Sequence, residues 1–134
     1  MIINFSLPIQ QGRLGIIRDA IDSGSNGKCK FYSGTKPTSG ASITDQVLLA
    51  TIVLNDPCAT ITNNVLTFSF ANNGETQCSA SGQATWCRIT NSADLFCIDM
   101  DVTDNNGSGT VKIDSTALYQ GGTIRVQSGT FSEP

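Results

Sequence analysis

Apolar positions in this chain follow two periods, and the change falls at Gly27. Upstream, Leu14, Ile17 and Ile21 recur at three and four residues while Arg13, Arg18 and Asp19 lie off that line, the stripe of an amphipathic helix. Pro8 suits a first helical turn, Ser6 or a neighbour can cap it, and Ser-Gly-Ser-Asn-Gly at 23–27 stops it, so a helix is expected over about residues 8–22. Downstream the period falls to two. In residues 65–70, Leu66, Phe68 and Phe70 alternate with Thr67 and Ser69, and further on Ile124 and Val126 oppose Arg125 and Gln127.

Seven runs read as strands: 29–33, 47–54, 65–70, 84–90, 95–102, 110–114 and 123–131. The breaks between them hold the Gly, Pro, Asn and Asp that turns require, among them the break from Asn55 to Asn64. Residues 47–54 are apolar on both faces, which predicts a strand covered on two sides, with the helix as second cover. The expected fold is mainly β: one domain over 1–134, with an arm at 1–7, the helix, and at 28–132 an antiparallel β-sandwich, jelly-roll or Ig-like, of about seven to eight strands.

Residues 84–102, ATWCRITNSADLFCIDMDV, hold the only tryptophan. With residues 91–94 as a four-residue hairpin loop, Thr90 opposes Leu95 and Trp86 opposes Asp99, with Arg88 diagonal to it. Cys87, Ile89, Phe96, Ile98 and Met100 then share a core face. Trp86, Arg88, Thr90, Leu95, Cys97, Asp99 and Asp101 share the outer one. On that outer face Trp86 is either a surface ring stacked on Arg88 or covered by the helix, or an interface anchor, since Trp and Arg are enriched at binding hot spots. A glycosidase pair from Asp99 and Asp101 is disfavoured, because residues two apart on one strand point in parallel instead of flanking a substrate. Sugar stacking on Trp86 stays open.

Composition narrows the chemistry. Of the 134 residues, 39% are hydrophobic and 14% charged, enough apolar material for a core without metal or cross-links. A net charge of -3 with eight Lys and Arg spread along the chain gives no basic patch, so no nucleic-acid partner is expected. No apolar run approaches the roughly 20 residues of a membrane span, and the start lacks the features of a cleaved leader, so synthesis in the cytosol and no membrane partner are expected. The five cysteines form no CxxC pair and lie in or beside apolar runs, which predicts reduced thiols acting as small hydrophobes. There is no histidine, which removes the usual triads and the commonest zinc ligand. Residues 99–109 start like an EF-hand loop, but Thr103 and Asp104 take its fifth and sixth positions and no glutamate follows. No cofactor, metal or catalytic residue is expected.

The order of segments resembles a family of small tailed-bacteriophage virion proteins encoded among head and tail genes. The resemblance runs through RLGIIRDAIDSG (13–24), CKFYSGTKP (29–37), LLATIVLNDP (48–57), VLTFSF (65–70), SGQATWCRITNSADLFCIDMDV (81–102) and GGTIRVQSGTFSEP (121–134). Its most distinctive part is Ala-Thr-Trp followed by a hairpin ending in Asp-x-Asp-Val. It implies a non-enzymatic structural component of the virion. The leading form is a capsid decoration or cement protein on the outer face of the shell, partnered by the major capsid protein or other virion proteins in a symmetric array. A connector, collar or tail component and a carbohydrate-binding module of a fibre are the alternatives. For such a partner the candidate interface residues are Ile2, Ile3 and Phe5 in the arm, with Trp86 and Arg88 on the hairpin.

Overall fold

The computed structural model describes residues 4–132. Helix α1 spans Leu7–Ile21. Strands follow at β1 Lys28–Tyr32, β2 Leu48–Thr62, β3 Val65–Phe70, β4 Glu75–Gln77, β5 Gly82–Gln83, β6 Trp86–Thr90, β7 Phe96–Asp104, β8 Val111–Ile113, β9 Ala117–Leu118 and β10 Thr123–Ser132.

The chain is mainly β with one N-terminal helix, as the periodicity indicates, but the strands do not form a sandwich. Seven of them run in the order β3-β2-β1-β6-β7-β8-β10, and β10 pairs back onto β3, so the sheet closes into a barrel. Closure removes most of the exposed strand edge that two open sheets would leave. The length of β10 makes it possible: successive stretches of this strand pair with β4, β8 and β3.

The sheet is not wholly antiparallel either, because β7 and β8 run parallel, Val102 opposite Val111. Gly107 and Gly109 let the short link between them fold onto Thr103. A Cβ on Gly109 would lie 2.9 Å from the Thr103 backbone nitrogen, and the Gly109 N–H donates to the Thr103 hydroxyl at 3.0 Å.

The expected break at 55–64 is mostly strand. Pro57 has no N–H to offer a neighbour, and β2 passes it on a bulge, its pairing jumping from Leu54↔Phe70 to Ala59↔Phe68. The Cys58 N–H beyond it donates to the Asp22 carboxylate at 3.0 Å, tying the bulge to the end of α1. Only Asn63 and Asn64, at φ 49° and 66°, make the turn into β3, the left-handed pair that a two-residue hairpin needs.

Inward residues of the barrel, including Phe31, Ile52, Leu66, Ile89, Met100, Ile113 and Ile124, form one buried cluster, and Leu14 and Ile21 of α1 belong to it. Ile17 packs against its margin, so the helical stripe read from the sequence is the buried one. The helix touches the adjoining strands β2 and β3 and also β7, with β1 and β6 between β2 and β7 round the ring; it therefore closes one mouth of the barrel. It does not cover the second face of residues 47–54, where Val47, Leu48 and Val53 stay 38–46% exposed.

Candidate functional site

The site begins from β6, whose five residues Trp86 to Thr90 are all buried. Alternation supplies one reason: Cys87 and Ile89 point into the barrel. The other is the long connection from Ser33 to Val47, which leaves β1 and folds back over the outer face of the β1–β6–β7 sheet. Trp86 donates its Nε1–H to the Ser33 carbonyl at 3.3 Å, and its ring stacks on Tyr32 with centroids 4.7 Å apart and planes 14° from parallel. Arg88 lies over Trp86 at 5.4 Å and over Phe96 at 5.1 Å, so Tyr32, Trp86, Arg88 and Phe96 form one continuous stack.

Asp99 fixes the guanidinium. It accepts from Arg88 Nε at 2.8 Å and from Nη2 at 3.0 Å, the two-point geometry that suits a carboxylate. Both side chains are almost sealed, 10% and 6% exposed. Loop backbone completes the network: Arg88 Nη2 donates to the Ala41 carbonyl at 2.9 Å, and the Gly40 N–H donates to Asp99 Oδ2 at 3.3 Å. Gly40, at φ +71°, has no room for a side chain, since a Cβ would meet the Phe96 ring at 2.7 Å. The Arg88 guanidinium is held above its ordinary value, first by its hydrogen bond to Asp99, with burial acting against it and Asp99's charge in favour.

Two expectations are therefore corrected. Trp86 is 0% exposed and Arg88 8%, so neither is available as an interface anchor. The register also slips. Asn91 Oδ1 accepts from the N–H groups of Ala93 and Leu95, drawing Leu95 into the turn. Thr90 then faces Phe96, and a bulge brings Arg88 opposite Asp99 and Trp86 opposite Asp101. The face assignment survives for Cys87, Ile89, Ile98 and Met100. Phe96 moves out to the Arg88 side, 40% exposed, and Cys97 is only partly covered.

Of the arm residues, Ile2 and Ile3 lie outside the described residues. Phe5 is 41% exposed with the Arg13 guanidinium 4.9 Å above its ring. The covering loop, with Ser33, Gly40 and Ala41, was not among the expected site residues. Its sequence signal was length, because loops beyond about 12–15 residues without structure of their own are uncommon in compact domains.

The remaining charges make surface contacts. Asp101 meets Lys36 at 3.1 Å. Asp94 meets Lys28 and Lys30, each at 3.0 Å, and its carboxyl is held below the usual range by hydrogen bonds from Lys28 and then Lys30. Exposed pairs of this kind add little stability. Among the described residues no group of three His, Cys, Asp or Glu could hold a metal ion, and no helix is long and apolar enough to cross a membrane.

Four cysteines are buried and act as small core residues, while Cys97 is partly open. Burial, then contact with Cys87, pushes the Cys29 thiol well up. Burial, then Asp22, pushes Cys58 up to about 12. Burial shields the other four thiols from reagent, so a maleimide under native conditions is expected to label Cys97 alone, read by intact mass, and Cys97→Ser should abolish labelling. Labelling of Cys29 or Cys58 without denaturant would show that the barrel opens.

Comparison of the chain with models of protein families, with curated proteins and with solved structures returns no match.

Proposed function

We propose that this protein is a non-enzymatic structural component of a tailed-phage virion, acting as a capsid decoration or cement protein on the outer face of the shell. The segment resemblance supports this reading, and the observation that carries it is the distribution of exposed apolar side chains. Helix α1 has a second stripe, Ile9, Ile16 and Ala20, on a face other than the buried one; Ile9 is 51% and Ile16 71% exposed. Leu95, 63% exposed in the turn, and Phe96, the first residue of β7, lie nearby. Together with Ile17, Cys97 and Ile98, Ile16, Ala20 and Phe96 line one shared groove. An apolar groove between α1 and β7 suits a protein whose work is to adhere. The buried Arg88–Asp99 pair, with its hydrogen bonds directed inward, suits a rigid block.

Copy number in purified particles tests the reading. A decoration protein is expected in hundreds of copies per particle by gel densitometry, whereas a connector or tail ring holds about six to twelve. Absence from particles contradicts both placements. On particles that carry it, Ile16→Glu is expected to lower occupancy at least tenfold while the isolated domain keeps its melting temperature.

A further inference from the structure

The barrel has an incomplete seam. β7 pairs with β6 along its first part, but on its other side strand pairing starts only at Val102, with β8. Val102 gives its N–H to Thr85 on the β6 side. Backbone direction alternates along a strand, so Met100 and Ile98 also face β6, and Asp99 turns its N–H and C=O the other way, into the opening. Among the described residues no backbone group takes them up. Open grooves flank this stretch on both faces. One, of about 370 Å³, lies against α1 and is walled by Ile16, Ile17, Ala20, Phe96 and Ile98. The other, of about 270 Å³, lies towards the loop and is lined by Lys36, Pro37, Ser39 and Asp99. Phe96, Cys97 and Ile98 border both.

We propose that the edge of β7 around Asp99 is a docking site for an extended strand of a different polypeptide, aliphatic at alternate positions and carrying a lysine or arginine that reaches Asp101. Only an extended backbone matches outward N–H and C=O groups on a strand edge. Side chains of an added strand alternate between its faces, and the two grooves receive them: aliphatic ones against Ile16 and Ile17, polar ones beside Ser39 and Lys36. Charge decides between a second copy and a foreign chain. The two-fold register centred on Asp99 would set Cys97 of a second copy, and no basic residue, opposite Asp101. Asp101, 68% exposed and held only by the half-exposed Lys36, favours a basic residue in the incomer. The site stands whether or not the protein belongs to a virion.

The test is an NMR titration of the full chain with the probe acetyl-Lys-Val-Thr-Val-Thr-Val-amide. Saturable shifts centred on the amides of Asp99 and Asp101 are expected, with binding at about 1 mM or tighter, and with slowed hydrogen exchange at Asp99. Ile16→Glu, at an exposed position and so compatible with folding, should weaken binding at least tenfold. The proposal is overturned by no shift at that concentration, by shifts unaffected by Ile16→Glu, or by concentration-dependent shifts of the same amides without peptide, which would make the edge a contact between copies.

Discussion

Replacing Asp99 with alanine is expected to cost about 3–5 kcal/mol of folding stability, because it leaves the Arg88 guanidinium buried without its counter-charge. Arg88 cannot escape by losing its proton, since its ordinary value is far above neutrality. Nor is water at hand, since the side chain is 10% exposed beneath the loop. Of its hydrogen-bond acceptors only the Ala41 carbonyl would remain. Urea denaturation followed by circular dichroism measures the loss. A matched control separates the stranded charge from the removal of the pair: Arg88→Met with Asp99→Leu should recover most of the stability, as apolar replacements of buried ion pairs often do. If Asp99→Ala costs less than about 1 kcal/mol, the value typical of an exposed pair, the loop does not seal this network.

Trp86→Ala should cost a similar amount, about 3–5 kcal/mol, the range for deleting a large aromatic from a packed interior. The ring has 0% exposure, rests flat on Tyr32, and forms part of the floor on which the 33–47 loop lies. The loss should therefore extend outward from the cavity, with faster amide exchange at Gly40 and Ala41. A tryptophan on an open outer surface would give a change within about 0.5 kcal/mol, so the size of the effect discriminates between the two positions.

How much of this was legible beforehand depends on the range of the contacts involved. Leu14 and Ile21 were readable as buried because a helical stripe is a local pattern, and Leu66 with Phe68 because strand alternation is local too. Pairing was less so. The two-residue slip at the β6–β7 hairpin has two sources: the Asn91 side chain caps two backbone N–H groups and moves Leu95 from strand to turn, and a bulge between Ile89 and Thr90 adds the second residue. Closure depends on β10 reaching β3, strands more than 50 positions apart in the chain, and no periodicity records it. β2 continues past Pro57 because Asp22, 36 residues away, supplies an acceptor for Cys58.

The tryptophan is the clearest case. Strand alternation puts it on the face turned away from the barrel interior, as observed, but exposure does not follow from that. A polar loop with no hydrophobic pattern covers it, using the Ser33 and Ala41 carbonyls and the Gly40 N–H. Backbone groups are the same in every sequence, so only the loop's length hinted at a cover. The residues then expected at an interface, Trp86 and Arg88, are packing elements, and the apolar surface that replaces them lies along Ile16, Leu95 and Phe96. There the sequence shows only isolated hydrophobic residues at positions outside the main stripe.

The central point is that Trp86 serves as an internal support and not as a contact, and its own fluorescence reports on this directly because it is the only tryptophan in the chain. Expected is a blue-shifted emission with weak acrylamide quenching, unchanged by added oligosaccharide and rising to the fully exposed value only when urea unfolds the barrel. Emission and quenching typical of a solvent-exposed indole in the folded protein would contradict it, and would return Trp86 and Arg88 to the binding surface.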